Sequence, residues 1–363
     1  MTRWRVGLVY NLKQNVQPEP GAPPDALAEY DAVETVQALR EALAANGHEV
    51  VDLEADLSFL DTVRAARPDI CFNIAEGLRG DSRESHVPAI LEMLGIPYTG
   101  SKVLTHAISL DKAAAKHIWQ NSGIPTAPFQ VFRTGLERLD ARLEFPLFVK
   151  PIREGTGMGI NARSVVHDER ELRDQARWVI ETYRQPALVE TYLPGREFTV
   201  GLIGNTLWPG QPPFNELYDE RGFHLFPVLE INAQVGVGQG VYNTAAKSYH
   251  PGEEGAPEYL CPAPISPELE AALKQLAVAA FEAIGALDVA RVDMRLDAHG
   301  NPNVIEINTL PGLNPTVSDL CIMAHAEGMS YARLIGEILN LAARRYGMLP
   351  ERQEELSGTP SRR

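Results

Sequence analysis

Short apolar runs alternate with longer amphipathic stretches over the first part of the chain. Arg5–Tyr10, Glu49–Leu53 and Ile70–Ile74 are apolar runs of strand length. Between the first two runs, apolar residues recur at helical spacing from Ala26 to Asn46, and Gly47 is a suitable C-cap. This β–α alternation predicts a doubly wound parallel sheet over roughly the first 100 residues.

The pattern changes beyond residue 105. It predicts a small α+β unit up to residue 188, followed by a strand-rich unit with two long helices. The elements predicted in these units are the helices Lys112–Asn121, Arg170–Arg184, Ser266–Ile284 and Tyr331–Ala343 and the strands Gln130–Arg133, Pro146–Pro151, Pro186–Tyr192 and Arg196–Ile203. We therefore expect domains at 1–105, 106–188 and 189–347, and a disordered, charged tail at 348–363.

Length and charge narrow the class of protein. At 363 residues the chain exceeds what one core normally supports. Its 33 Lys and Arg against 48 Asp and Glu give a net charge of −15, which argues against nucleic acid or an anionic membrane as the main partner. No apolar run approaches the ~20 residues of a membrane span, and no signal peptide precedes the first strand.

Three widely separated cysteines, Cys71, Cys261 and Cys321, are expected to be free thiols in a reducing cytosol. Together with the charge, they predict a globular protein of the cytoplasm. A homodimer is left open.

The segment Arg291–Asn308 predicts a β-hairpin with three oxygen ligands on one face, because polar and apolar residues alternate on both sides of a turn sequence. If the turn is centred between His299 and the following glycine, Asp293 lies directly opposite Glu306. Like charges opposite each other destabilise a sheet, so the pair implies a cation. Two carboxylates and the amide of Asn308 suit Mg²⁺, which usually completes its shell with water and phosphates. The alternative is an exposed hairpin whose acidic residues only meet solvent.

A second segment combines a buried strand, a lysine and a glycine-rich loop. The strand delivers Lys150 and opens into Glu154–Ile160, which has glycines at 155, 157 and 159. Glycines let the backbone approach a phosphate closely, and lysine supplies a point charge. The segment is neither a Walker A motif nor a Rossmann fingerprint, because no helix follows and Gly-Lys-[Ser/Thr] is absent. A surface loop without a ligand is the alternative.

Two carboxylates mark the end of one predicted strand and the start of the next. Glu190 ends the apolar run from Pro186, and Glu197 begins the following strand. Such carboxylates can accept hydrogen bonds from an amino group or from ribose hydroxyls. Taken alone, each is more simply explained as a solvated side chain.

In order and spacing, these segments resemble the ATP-grasp superfamily, and specifically the D-alanine–D-alanine ligase family. The resemblance runs from about Ile70 to Ala343 and includes Glu92–Ser101, Ser109–Lys112 and Asn308–Thr316. It implies an ATP-grasp fold and an ATP-dependent ligase. In the implied reaction a carboxylate attacks the γ-phosphorus of ATP, and an amine then displaces phosphate from the acyl phosphate to form a dipeptide.

The resemblance also implies roles for the residues that match the family's motifs, with ATP and two Mg²⁺ ions as cofactors and amino acids as substrates. The residues expected to hold ATP are Lys112, Lys150, Glu154, Gly155, Gly157, Gly159, Glu190, Tyr192, Leu193, Glu197 and Lys247. The expected Mg²⁺ ligands are Asp293, Glu306 and Asn308, the expected catalytic residues are Arg291, Thr156 and Tyr249, and the residues expected to bind the amino acids are Gly312, Ser318 and Glu34.

Several of these roles are specific. Lys247 is expected at the γ-phosphate, Glu190 at the adenine amino group and Glu197 at the ribose. Arg291 is expected to stabilise the tetrahedral intermediate, and to bind the carboxylate of the amine-donating amino acid together with Ser318 and the backbone amides near residue 312.

Three positions depart from the family's pattern near the reacting groups. Thr156 and the glycine after it replace the usual pair of serines, and Tyr249 follows the phosphate lysine one position late. Ser318 also falls one position later than the family serine. The pocket for the amine donor is therefore expected to be reshaped.

The segments expected to meet the first substrate depart further. The loop Asn73–His86 lacks the family's His-Gly…Gly-Glu-Asp-Gly pattern, and no glycine pair precedes Glu29, Asp31 and Glu34, which compete as ligands of the first ammonium group. Two hypotheses stay open: a D-alanine–D-alanine ligase that serves cell-wall assembly, and a homologous ligase that joins other amino acids. A regulator without chemistry is disfavoured, because the residues for metal and intermediate are present.

Overall fold

The computed structural model describes residues 2–18, 20–233, 235, 244 and 252–349. Its first sheet is parallel, with the strand order β2–β1–β3, and β1 is buried from Val6 onward. The strands of this sheet are β1 (Arg5–Tyr10), β2 (Glu49–Glu54) and β3 (Ile70–Asn73). Parallel strands are normally covered on both faces by the helices that connect them. The predicted α/β unit is confirmed.

Five helices precede the central sheet. They are α1 (Val33–Ala45), α2 (Phe59–Ala66), α3 (His86–Leu94), α4 (Val103–Leu110) and α5 (Lys112–Asn121). The prediction that the first helix starts at Ala26 is wrong, because the helix starts only at Val33. The backbone of Asp31 exchanges hydrogen bonds of 3.1 and 3.0 Å with Asn11 and Lys13. This pairing holds the preceding residues beside the end of β1.

The central sheet is antiparallel, with the order β4–β7–β5–β6, and is covered by α6 (Glu169–Tyr183). Its strands are β4 (Phe129–Phe132), β5 (Leu147–Pro151), β6 (Val165–Val166) and β7 (Ala187–Thr191). Asp168 caps α6 by accepting a hydrogen bond of 2.8 Å from the backbone N–H of Glu171. Leu172 and Val179 of this helix are fully buried in the same core as Val149.

The third sheet has six antiparallel strands in the order β11–β10–β8–β12–β13, with β9 paired to β8. These strands are β8 (Glu197–Gly204), β9 (Phe223–Leu225), β10 (Leu229–Asn232), β11 (Glu258–Leu260), β12 (Asp288–Leu296) and β13 (Pro302–Asn308). The helices of this part are α7 (Pro267–Ala283), α8 (Asp319–Ala326) and α9 (Tyr331–Arg345).

The predicted boundary between residues 188 and 189 falls inside β7, a strand of the central sheet. Helix α5, predicted to belong to the central unit, packs on the third one: Trp119 is fully buried and its Nε1 donates to the carbonyl of Ala280 at 3.2 Å. Sequence spacing did not reveal this long-range contact. Residues 350–363 of the predicted tail, as well as Lys247 and Tyr249, lie outside the described residues. Among the helices that are described, none is long and apolar enough to cross a bilayer.

A buried charge pair joins the first and third units. Asp288, fully buried at the start of β12, accepts hydrogen bonds from the backbone N–H of Gly100 at 2.9 Å and from Asn205 Nδ2 at 2.8 Å. Arg345, at the end of α9, donates to Asp288 Oδ2 at 2.7 Å and to the carbonyl of Tyr98 at 3.0 Å. Because Asp288 is surrounded by donors, its charge is well compensated.

We expect Asp288→Asn to lower the free energy of unfolding by about 3 kcal/mol, because it leaves the charge of Arg345 without its buried partner. Asparagine tolerates the left-handed backbone conformation found at this position, where φ is 64°. The matched control is Arg333→Ala on the same helix, whose side chain is 56% exposed and should change stability by less than about 1 kcal/mol. Urea unfolding measures both; equal effects would contradict the assigned role of the pair.

Candidate active site between the central and third sheets

The predicted hairpin is formed by β12 and β13. Asp293 pairs directly with Glu306, and Arg291 pairs with Asn308, as the alternation predicted. The predicted turn centre is wrong by half a residue, because the register shifts beyond Asp293: Met294 pairs with Val304. The extra residue forms a β-bulge, a feature common beside active sites.

The two facing carboxylates are compensated by cations. Arg291 Nε and Nη2 each donate to Asp293 at 3.0 Å, and Thr199 Oγ1 donates to the same carboxylate at 2.6 Å. Lys112 Nζ lies 3.2 Å from Glu306 Oε2. The pair is therefore tolerated because basic side chains from two different elements reach it.

The donor set around this pair fits a hard cation. Asn308 Nδ2 donates to Asp293 Oδ2 at 3.2 Å, which leaves the amide oxygen of Asn308 as an acceptor. In the described part of the chain, no group of three or more His, Cys, Asp and Glu side chains could hold a metal ion. Two carboxylates and an amide oxygen suit Mg²⁺ when water and substrate phosphates complete its shell.

Helix capping positions Lys112 next to the glycine loop. Asp111 caps α5 by accepting a hydrogen bond of 3.0 Å from the backbone N–H of Ala114, and it also lies 2.8 Å from Arg153 Nε. The buried Lys112 is thereby the first residue of the helix. Its Nζ donates to the carbonyl of Glu154, the first residue of the loop.

A buried triad of charges lies under the same loop. Glu190 Oε1 lies 2.8 Å from Lys150 Nζ, and its Oε2 lies 2.8 Å from Lys116 Nζ. Burial raises the pKa of Glu190, but the two ammonium groups outweigh it and hold the pKa at about 2. Lys116 was missed from the sequence, although it follows Lys112 by one helical turn and so shares its face.

One cavity gathers most of the residues that were predicted to hold a nucleotide. The predicted residues that line it are Lys112, Lys150, Glu154, Gly157, Glu190, Tyr192, Leu193, Glu197, Asp293 and Glu306. Arg295, which was not predicted, lies 3.6 Å from Glu197 and 5.1 Å from the centre of the Tyr192 ring. Its place two residues after Asp293, on the same strand face, is the signal that could have identified it.

A second cavity of about 310 Å³ adjoins the first. Lys112, Glu154 and Glu306 line both cavities, and the other predicted residues that line the second one are Arg291, Thr156, Gly155, Asn308, Gly312 and Ser318. Arg291 Nη1 lies 3.1 Å from the buried carboxylate of Asp319, the last residue of the stretch from Asn308 that was expected to line the pocket for the amine donor. A Cβ on Gly312 would lie 2.8 Å from Ser318 Oγ, so any larger residue here would displace this hydroxyl. Ser318 Oγ in turn accepts from the backbone N–H of Asn314 at 2.9 Å.

Glu34 does not line either cavity; it lies exposed in the first turn of α1. Its competitors Glu29 and Asp31 line the second cavity, because the chain before α1 is not helical. Glu29 is already engaged, accepting from the backbone N–H of Gly155 at 2.6 Å and from Arg83 Nη2 at 2.6 Å. The placement predicted for Glu34 is therefore wrong.

Besides Glu29, three carboxylates that influence one another lie at one end of the second cavity. Asp31, Glu76 and Glu84 all line it. Burial raises the pKa of Asp31 to about 7, and burial together with the neighbouring Glu84 raises the pKa of Glu76. This end of the cavity is therefore suited to a positively charged group.

The glycine loop has a left-handed backbone at three positions. The φ angles of Thr156, Gly157 and Gly159 are 50°, 71° and 73°. Left-handed φ is uncommon for a β-branched residue, and such outliers cluster at functional sites. Thr244 Oγ1 donates to the carbonyl of Thr156 at 3.1 Å, so a contact from the third unit also supports the loop.

The chain is similar to known ligases over most of its length. The sequence profile described as "D-ala D-ala ligase C-terminus" matches residues 118–340. A D-alanine–D-alanine ligase of Syntrophotalea carbinolica is 35% identical over 310 residues, which cover 85% of this chain and 90% of the relative. An uncharacterized protein of Sinorhizobium fredii is 38% identical over 338 residues, covering 91% and 92% of the two chains.

A solved structure extends the similarity to the fold. The D-alanine–D-alanine ligase of Bacillus anthracis, crystallised with ATP, superposes with a TM-score of 0.70 over 95% of this chain and 99% of that one, at 24% identity. This likeness confirms the predicted ATP-grasp architecture. On the profile and sequence matches, the chain belongs to the D-alanine–D-alanine ligase family of ATP-dependent ligases.

Proposed function

We propose that this protein joins two amino acids into a dipeptide at the expense of ATP, with D-alanine as the first candidate for both substrates. The observation that carries the proposal is the wall shared by the two cavities: Lys112, Glu154 and Glu306 line both. A phosphate held in one cavity therefore meets a carboxylate held in the other. Such a product would serve cell-wall assembly, and we place the reaction in the cytoplasm, where ATP is available.

ATP would lie in the first cavity, with its adenine beside Glu190, Tyr192 and Leu193 and its ribose near Glu197. Lys112 and Lys150 would neutralise its phosphates, since both are buried basic side chains on the wall of this cavity. Lys247 keeps the role that the family pattern implies. Mg²⁺ bound by the hairpin's three oxygen ligands would supply further neutralisation of the phosphate charge.

The reaction has two steps. An oxygen of the first amino acid's carboxylate attacks the γ-phosphorus, so that a C–O–P bond forms and ADP leaves. The amine of the second amino acid then attacks the acyl carbon, and phosphate leaves with the carboxylate oxygen. Arg291 lines the second cavity beside the Mg²⁺ ligands and is suited to stabilise the oxyanion of the tetrahedral intermediate.

The second amino acid would be held by its carboxylate. Arg291, Ser318 and the backbone near Gly312 line one wall of the second cavity and supply a charge and donors. The first amino acid would bind at the acidic end of this cavity, where Asp31 and Glu76 replace Glu34 as candidates for its ammonium group.

One observation favours a first substrate other than D-alanine. Glu29 is already paired with Arg83, but Asp31, Glu76 and Glu84 also line the acidic end of the second cavity, which is more carboxylates than a single ammonium group needs. A homologous ligase that activates an amino acid with an additional polar or cationic group is therefore the second candidate.

A substrate panel decides between these candidates. The release of phosphate from ATP, in the presence of Mg²⁺, is measured with each of a set of D- and L-amino acids, and we expect release with at least one of them. If kcat/KM for D-alanine exceeds that of every competitor by more than about tenfold, equivalent to ~1.4 kcal/mol, the D-alanine assignment stands. No release with D-alanine, but release with another amino acid, establishes the second candidate; no release with any amino acid contradicts the proposed function.

Glu306→Gln should lower kcat/KM by more than about 100-fold at low Mg²⁺, because one of two carboxylate ligands is lost. The melting temperature without metal should change little, since relief of the repulsion between two facing carboxylates offsets the loss of the contact between Glu306 and Lys112. Glu270→Gln on α7, whose side chain is 43% exposed and pairs with Lys274, is the control. A large fall in melting temperature with activity retained at saturating Mg²⁺ would argue against metal ligation.

Affinity for the first amino acid should rise with pH through about 7. Burial raises the pKa of Asp31 to about 7, so its carboxyl is neutral below that pH and anionic above it. Only the anion attracts an ammonium group. The other ionisable side chains around Asp31 are those of Glu29, Glu76, Glu84 and Arg83. In the wild type, KM for the first amino acid should therefore fall between pH 6 and 8, and Asp31→Asn should remove this dependence on pH. If KM of the variant depends on pH as in the wild type, Asp31 is not the titrating group.

A further inference from the structure

A segment of the N-terminal unit is bonded to the far end of the glycine loop. Asp25 Oδ2 accepts a hydrogen bond from the backbone N–H of Gly159 at 3.0 Å. The hydroxyl of Tyr183, at the end of α6, lies 2.9 Å from both oxygens of the same carboxylate. Asp25 therefore links three parts of the chain: the segment before α1, the loop and the helix that covers the central sheet.

The near end of the loop is held from the same segment. Glu29 accepts from the backbone N–H of Gly155, and Arg83 lies between Glu29 and Glu154, at 2.6 and 3.1 Å. The loop is thus tied at its first and last glycines by two carboxylates four residues apart. Loop amides that could face a phosphate are instead engaged by protein carboxylates.

Close packing supports the contact between Asp25 and Gly159. A Cβ on Gly159 would lie 2.4 Å from Pro151 Cγ and 3.1 Å from Tyr183 Cε2, so the loop backbone packs closely on both residues. The ring of Tyr183 is in turn held edge-on by Trp178, with 5.8 Å between the ring centres. Tyr183 is therefore fixed by packing, and its hydroxyl orients Asp25 toward the loop.

The loop forms one side of the proposed nucleotide cavity: Glu154, Gly157, Met158 and Ile160 line it. A loop bonded in this position shields that side of the cavity from water. Movement of the loop away from the cavity would have to break the bonds that tie it to the N-terminal unit.

We propose that Asp25, oriented by Tyr183, is a positioning residue that holds the glycine loop closed while the acyl phosphate exists; this rests on the function proposed above. Closure excludes water from a reactive intermediate. Water that attacks the acyl phosphate returns the free carboxylate and phosphate, so ATP is consumed and no dipeptide forms. Loss of the anchor should therefore uncouple ATP hydrolysis from ligation.

The first test measures loop closure without turnover. Hydrogen–deuterium exchange of a peptide spanning residues 154–160 is compared in the wild type, Asp25→Ala and Tyr183→Phe. Exchange at Gly159 should be about tenfold faster in Asp25→Ala, as expected from the loss of a hydrogen bond to a charged group. Gly155, held by Glu29, should be less affected and serves as the internal control. Asp61→Ala, an exposed substitution on α2, is the external control.

The second test measures coupling, as phosphate released per dipeptide formed. Both variants should raise this ratio several-fold, with a larger fall in dipeptide formation than in ATP consumption. The double variant should be no worse than Asp25→Ala, because both substitutions remove the same contact. Asp25→Asn, which keeps one acceptor oxygen, should restore part of the coupling.

Either of two results overturns the proposal: exchange at Gly159 that is unchanged in Asp25→Ala, or faster exchange with an unchanged ratio of phosphate to dipeptide. A wild type without turnover on any amino acid would refute the proposed function, and with it a role in coupling. The exchange measurement would still report whether Asp25 holds the loop, so the two failures are distinguishable.

Discussion

Asp293 and Glu306 face each other across the hairpin of β12 and β13, and the site is organised around the repulsion between them. Two carboxylates in this position destabilise a sheet unless cations reach them. Arg291 and Lys112 do so in the protein as described, one from the same strand and one from the start of α5. When Mg²⁺ and nucleotide bind, the charge balance would be shared with the metal, so the same repulsion that costs stability creates affinity for the cation.

The two compensating cations also define the neighbouring surfaces. Lys112 donates to the carbonyl of Glu154 and so connects the hairpin to the glycine loop. Arg291 bonds to Asp319, at the start of α8, and so connects the hairpin to the amino-acid cavity. Each cation thus contacts one of the facing carboxylates and lines at least one of the two cavities. Lys112 lines both cavities, so the nucleotide and the amino acids proposed to fill them would meet at the wall that it shares with Glu154 and Glu306.

The sequence predicted what local periodicity and motif order determine. Asp293 and Glu306 could be placed opposite each other because side chains alternate along a strand, and Lys150 could be placed beside the loop because a buried strand leads into it. The bulge after Asp293 could not be predicted, since it changes the register without changing the alternation on either side. Arg295 and Lys116 could have been predicted as site residues, because Arg295 shares a strand face with Asp293 and Lys116 shares a helix face with Lys112.

Other features depend on contacts between residues far apart in the chain. Helix α1 starts at Val33 because the backbone of Asp31 pairs with residues just beyond the end of β1. This pairing also places Asp31, and not Glu34, at the wall of the second cavity. The buried contact between Asp288 and Arg345 unites residues that no local pattern connects. Such contacts are decided by tertiary structure, which overrides local propensity.

The shared wall of the two cavities is tested most directly by the fate of the carboxylate oxygens. An amino acid labelled with ¹⁸O in its carboxylate is supplied with ATP and Mg²⁺, and the released phosphate is analysed by mass spectrometry. Attack of the carboxylate on the γ-phosphorus transfers one labelled oxygen to phosphate each time a dipeptide forms. Labelled phosphate in a one-to-one ratio with dipeptide is the predicted result. Dipeptide accompanied by unlabelled phosphate would contradict an acyl phosphate formed where the two cavities meet.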